Sequence, residues 1–315
     1  IMVRRTRTDV QKYYANDITR QRLKFPKIVG PNELEYQMDS QLSRLFAETM
    51  DIISPSDDYK LHSTRYLSYY RYRAIQFLAD ERNKKKYDAR GSRYAASLDD
   101  QLANIMQINL VKRLESSFSA FYKSLLNLRQ YTKNMIDMWE SGNIFICPQI
   151  NVNAELDRKE KAKKRNRPVS YAECLDDIRA KIERLNEGGR NDDMRNMEYS
   201  RDDMKADYID LLRADYDLIS ELCDRWAMNT EDPKLDVFKD NLNNVLFDKE
   251  KNIPQKLVIF SEAIDTVDNI KRVAEAKHHK VLKITAANRD EMETVIRENF
   301  DANYKGEQKN DYDII

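Results

Sequence analysis

The chain has 315 residues, 34% of them charged, with Lys+Arg and Asp+Glu equal at 54 each. A neutral balance excludes a uniformly basic nucleic-acid binder, although it leaves local patches open. Only six Gly and seven Pro, beside many Leu, Arg, Lys, Glu and Tyr, argue for long helices against an all-β fold.

No stretch of about 18 apolar residues predicts a membrane span, so no membrane partner is expected. Cys147, Cys174 and Cys223 are far apart and form no C-x-x-C. They predict buried thiols in a reducing compartment, the cytoplasm, and neither a disulfide framework nor a thiolate zinc site. The start at Ile1, inside an apolar run, predicts an internal piece of a longer protein.

Residues 1–29 are lopsidedly basic: Arg4, Arg5, Arg7, Lys12, Arg20, Arg22, Lys24 and Lys27 stand against Asp9 and Asp17. Ile1–Val3 reads as the end of a strand, and Thr8 as the cap of a short helix. From about 32 to 141 the periodicity is helical. Leu34, Met38, Leu42, Leu45 and Phe46 share one face, Tyr66–Tyr87 reads as a second helix, and Asp99–Ser141 as the longest. Leu102, Ile105, Met106, Leu110, Leu114, Phe118, Phe121, Leu125, Leu128, Tyr131, Met135 and Met138 continue one stripe there. Unbroken, about 40 helical residues would form an arm about 60 Å long.

Gly142 ends that run. "DRKEKAKKRNRP" (157–168) reads as a basic, solvated linker within about 151–169. Helices are predicted over Ser170–Glu187, over Ser200–Trp226 and from Asp232-Pro233 onward. After Pro254 the texture changes. Apolar runs at Lys256–Phe260, Val281–Ile284 and Asp313–Ile315 alternate with helical patterns over Ile264–Ala276 and Arg289–Phe300, a β-α-β-α-β order that predicts parallel strands. The runs lack alternation, as in a sheet covered on both faces. The expected class is mainly α with a C-terminal α/β part. Its divisions are 1–29 as a basic connector, 30–250 as a helical domain and 251–315 as the α/β part.

The chemistry-bearing residues are sparse. No glycine opens a G-x-x-x-x-G-K-[ST] loop, and the doublets Asp80-Glu81 and Asp290-Glu291 do not follow buried strands. The chain by itself is therefore expected not to hydrolyse a nucleoside triphosphate. His62, His278 and His279 lack metal-ligand spacing, and no G-x-S-x-G elbow supports serine catalysis. Ser261, at the end of a strand entering a helix, suits contact with a phosphate backbone, although its position alone favours a plain helix cap. "RYLSYYRYR" (65–73) interleaves Arg65, Arg71 and Arg73 with four tyrosines. That pattern suits stacking with a single strand, although a helix with Tyr inward and Arg stems along the surface is the favoured reading.

Several segments carry a family likeness. "IMVRRTRTDVQKYY" resembles the end of the first RecA-like lobe in bacterial superfamily-two helicases of the Swi/Snf-like class, relatives of the RNA-polymerase-associated ATPase. "LVKRLESSFSAFYKSL" (110–125) resembles the helical segment between their lobes, and "QKLVIFSEAIDTVDNI" (255–270) the motif IV region that opens the second lobe. "ITAANRDEMETVIRENFDANYKGEQKNDYDII" resembles the run towards motif V, with Met292 and Glu293 where many relatives place an Arg after a Gly-containing loop. The resemblance implies a long-helix insertion followed by a truncated RecA-like parallel-sheet lobe. The whole protein would then be an ATP-driven motor using ATP and Mg, with neither bound by this fragment. It also implies contact with a DNA or RNA backbone through Arg4, Arg5, Arg7, Ser261, Arg71 and Arg73, and a helical arm available to protein partners. The alternatives from the sequence are a helical protein-interaction scaffold, or the motor subunit of a restriction or phage-defence system.

Overall fold

The computed structural model describes residues 6–25, 30–87, 94–157, 170–189 and 195–315. The chain is mainly helical and forms two compact units: Met38–Asp232, and the residues before Met38 together with Pro233–Ile315. Among the described residues no helix is long and apolar enough to cross a membrane. The basic segment 158–168 of the predicted linker, and the start of the chain with Arg4 and Arg5, lie outside the described residues.

The helical unit is built on Ser40–Ile53, Tyr94–Ser116, Phe118–Glu140 and Tyr208–Ala227. The 40-residue helix expected over 99–141 is two helices. Ser117 takes extended backbone (φ −163°, ψ 129°), and its hydroxyl accepts the Ala120 N–H at 3.3 Å. Serine at this position satisfies an orphan donor of the second helix, so the chain breaks where the apolar stripe alone would continue. The two helices then pack on each other, and no single 60 Å arm exists. Leu110, Leu114, Phe118, Phe121, Leu125 and Leu128 are buried with Trp226, whereas Leu102 and Ile105, assigned to the same stripe, are exposed. Ala103 faces the core in their place.

Gly142 does end the second helix. Its φ of +88° is a backbone position that favours glycine, and its carbonyl accepts the Arg201 N–H at 3.0 Å. The chain leaves that turn as a strand, Asn143–Ile146, which pairs antiparallel with Met197–Ser200. This pair is the one sheet among the described residues. The sequence reading missed it because "NIFI" and "MEYS" are too short to show a period. Residues 151–157, expected as linker, contain the Val152–Leu156 helix, with Val152 and Leu156 buried beside Cys174 and Ile178 of the Tyr171–Glu187 helix.

In the other unit Thr6, not Thr8, caps the first helix, Arg7–Tyr13, through a reciprocal bond with Asp9. The helix Pro233–Asn241 and the π-helical turn Leu242–Leu246, expected with the helical domain, pack here. Leu242 and Phe247 form a small core with Ala274 and Ile314. Helices Ile264–Ala276 and Glu293–Phe300 separate three extended segments. Leu257 and Val281 each form a parallel bridge with Ile314, which lies between them. These are single bridges and not the continuous parallel sheet that was expected. Coverage is also one-sided: Leu257 and Ile259 meet the core, while Val258 and Phe260 are exposed.

Candidate functional site

The segment "RYLSYYRYRAIQFLAD" (65–80), predicted to begin a helix, is a strap of two short 3-10 turns, Tyr70–Tyr72 and Ala74–Phe77. The physical reason lies in two buried carboxylates that compete for its backbone donors. Asp215 accepts the Ser68 N–H at 3.0 Å and the Tyr70 N–H at 2.8 Å. Asp99 accepts the Gln76 N–H at 2.9 Å. Tyr69 between them takes a left-handed backbone (φ 57°), and its buried hydroxyl donates to the Ile53 carbonyl at 2.6 Å. An i→i−4 helix cannot form when its donors are held this way.

Burial pushes Asp99 up from an ordinary 3.8 to about 7, although the backbone donors and Arg73 oppose the rise. Asp215 is pushed up to about 6 for the same reason. Between the ordinary value and these, the folded state holds protons that the unfolded state has released. Stability therefore falls as pH rises from about 4 to about 7. Asp99→Asn removes one of the two titrating groups. From pH 4.5 to pH 7.5, wild type should lose on the order of 2–4 kcal/mol relative to Asp99→Asn, read from urea midpoints. A difference between the two proteins that does not change with pH would contradict this assignment.

The three arginines of the strap have different surroundings. Arg65 pairs with Glu221. Arg73 donates from Nε to the Ser68 carbonyl at 2.8 Å and pairs with Asp100. Arg71 has no carboxylate within ion-pair distance among the described residues. Its guanidinium lies over the rings of Tyr72 and Tyr131, 4.8 and 5.3 Å from their centroids, and its Nε is buried without a hydrogen bond. Arg71 and Tyr131 form part of the wall of a cavity of about 170 Å³. Met135, Met138, Phe145, Ile150 and Val152 supply the apolar part of that lining, and Asn151, Asn153 and Cys147 complete it. Burial drives the Cys147 thiol up to about 12, so it stays protonated. Larger hollows of about 310 and 440 Å³ lie beside Arg225 and Met228, but there Arg225 is already paired with Glu48.

The remaining predicted residues lie in the other unit. Arg7 stacks over the Phe25 ring at 5.6 Å, and Lys12, Arg22 and Lys24 nearby in sequence are exposed. The Ser261 hydroxyl accepts the Ala263 N–H at 3.3 Å, a local turn that leads into the Ile264–Ala276 helix. Among the described residues no group of three or more His, Cys, Asp or Glu side chains is placed to hold a metal ion.

Sequence reasoning missed Asp99 and Asp215. Their signal was present: Asp215 stands three residues after Leu212 and four before Ile219, inside the buried stripe of its helix. No protein-family model, characterised protein or solved structure matches this chain.

Proposed function

We propose that the chain belongs to an ATP-driven nucleic-acid translocase or helicase of the Swi/Snf-like class. The helical unit would be the insertion between two α/β lobes, and the residues after Pro254 would open the second lobe. The observation that carries this most directly is the order of the extended segments. Ile314 bridges Leu257 on one side and Val281 on the other, both in parallel, with one helix in each crossover. A β-α-β-α-β run with its third strand in the middle suits the start of an open α/β lobe, whose carboxyl edge takes ligands. Ser261 follows the first of these segments, where a nucleic-acid backbone would lie. ATP and Mg would be held by parts of the motor that carry phosphate-binding loops, and Arg7, Arg22 and Lys24 would add backbone contacts.

The chain should bind a labelled single-stranded oligonucleotide in fluorescence anisotropy at about 25 mM salt, and should release it by about 200 mM. Combined substitution Arg7→Ala, Arg22→Ala, Lys24→Ala should lower the slope of log affinity against log salt by about 2, at about 0.7 for each lost contact. Absence of binding at low salt would favour a second reading, a scaffold for protein partners. The exposed Leu102, Ile105 and Ile108 on one helix favour that alternative.

A further inference from the structure

The Arg71 cavity has features that neither the fold nor the motor reading uses. A guanidinium held over two aromatic rings is partly desolvated, and taking a cation from water without an anion is costly. The two carboxylates that hold the strap do not supply that anion. Asp99 and Asp215 each have Arg73 as their stabilising cation, and Arg73 and Arg65 have their own acidic partners. Arg71 is thus the cation of the strap left without a carboxylate among the described residues.

The cavity beside it carries no acidic side chain in its lining that would repel an anion. Its lining is divided between the hydrocarbon and thioether of Met135, Met138, Phe145, Ile150 and Val152 and polar groups that include the Asn151 and Asn153 amides. The Asn153 carbonyl oxygen is already engaged by the Asn134 amide at 3.2 Å. The volume of about 170 Å³ is close to the ~150 Å³ of an apolar cavity that takes up benzene. The Nε donor of that guanidinium is buried without a partner, so this edge is left for an acceptor. That edge matches a planar carboxylate in bidentate fashion. The apolar part of the wall, Met135, Met138 and Phe145, suits a compact hydrocarbon body better than it suits the fully hydrated oxygens of phosphate.

We propose that this cavity binds a small monocarboxylate with a compact apolar body, Arg71 taking the carboxylate and the Met135, Met138 and Phe145 wall taking the body. The site is independent of the motor reading and stands or falls without it.

Met135 and Met138 line the cavity, so their methyl resonances report on it. Methyl-labelled protein titrated with sodium benzoate should show saturable shifts of both signals. Benzyl alcohol, with the same ring and no charge, should bind at least tenfold more weakly, and so should inorganic phosphate, with charge and no apolar body. Arg71→Gln should weaken benzoate binding at least tenfold, and Arg71→Lys by an intermediate amount because the paired donors are lost. If Arg71→Gln does not fold, the three probes on wild type decide the matter. Equal or tighter binding of benzyl alcohol or phosphate, or no shift with benzoate, overturns the proposal.

Discussion

Replacing Asp215 with alanine is expected to cost the helical unit about 3–5 kcal/mol. Its two oxygens hold the Ser68 and Tyr70 N–H groups at 3.0 and 2.8 Å. Each orphaned buried donor costs about 1–3 kcal/mol. Burying the carboxylate is itself unfavourable, as its raised proton affinity shows, so removing it returns part of that loss. The orphaned donors win because there are two of them and because they fix the strap. Without them the left-handed backbone of Tyr69 is held only by its buried ring and its hydroxyl bond to the Ile53 carbonyl. Asp215→Asn keeps one acceptor but turns an amide against the other N–H, so its cost should lie between wild type and alanine. Trp139 and Trp226 both lie in the helical unit, and Trp226 is buried. Tryptophan emission during urea unfolding therefore reads this unit. An alanine variant that keeps the wild-type midpoint would falsify the pinning role.

What could be read from the sequence divides along physical lines. Helices whose burial follows a simple stripe were legible: Tyr171–Glu187, expected over Ser170–Glu187, and Ile264–Ala276 to the residue. The apolar runs around Leu257, Val281 and Ile314 were legible as extended, because helices of that length cannot form between such breaks. Lost were the features set by contacts between distant residues. "RYLSYYRYR" has a helix-compatible composition, and only the carboxylates of Asp99 and Asp215, 23 and 145 residues away from their respective backbone donors Gln76 and Tyr70, turn it into a strap. The two strands at Asn143–Ile146 and Met197–Ser200 are likewise defined by each other, with Ile144 paired to Tyr199, 55 residues later, and neither has a period of its own.

The candidate site followed the same division. Arg71 and Arg73 were selected together because both alternate with tyrosines. Their roles separate through partners that the pattern does not contain: Asp100 for Arg73, and the Tyr131 ring for Arg71. Sequence composition found the right segment, but the assignment of the two cations needed the fold. Exposure of Val258 and Phe260 has a similar origin. A run of apolar residues says that both faces of a strand can be covered, and says nothing of which neighbour covers them.

Substituting Ile314 with aspartate is expected to unfold the unit that contains the three extended segments. Ile314 is 1% exposed and is one of four buried residues in that unit's small core, with Leu242, Phe247 and Ala274. Its backbone also ties the neighbours together: its N–H donates to the Lys280 carbonyl at 3.1 Å, and its carbonyl accepts the Leu282 N–H at 2.8 Å. Truncating a buried Ile costs about 2–5 kcal/mol through lost burial and the cavity left behind. A carboxylate in the same place adds a desolvation cost that no cation of this core offsets. Domains of modest size rest on roughly 5–15 kcal/mol in all, so a core this small has little margin. Amide exchange gives the measurement. The N–H groups of Leu257 and Ile259 are held by the Asp313 and Ile315 carbonyls at 2.9 and 2.8 Å, and with Leu282 they should lose protection together in Ile314→Asp. Tryptophan emission is the control that the helical unit is still folded. Persistent protection at Leu257 and Leu282 would mean that the three segments are not held through Ile314, and the parallel arrangement that supports the motor reading would lose its centre.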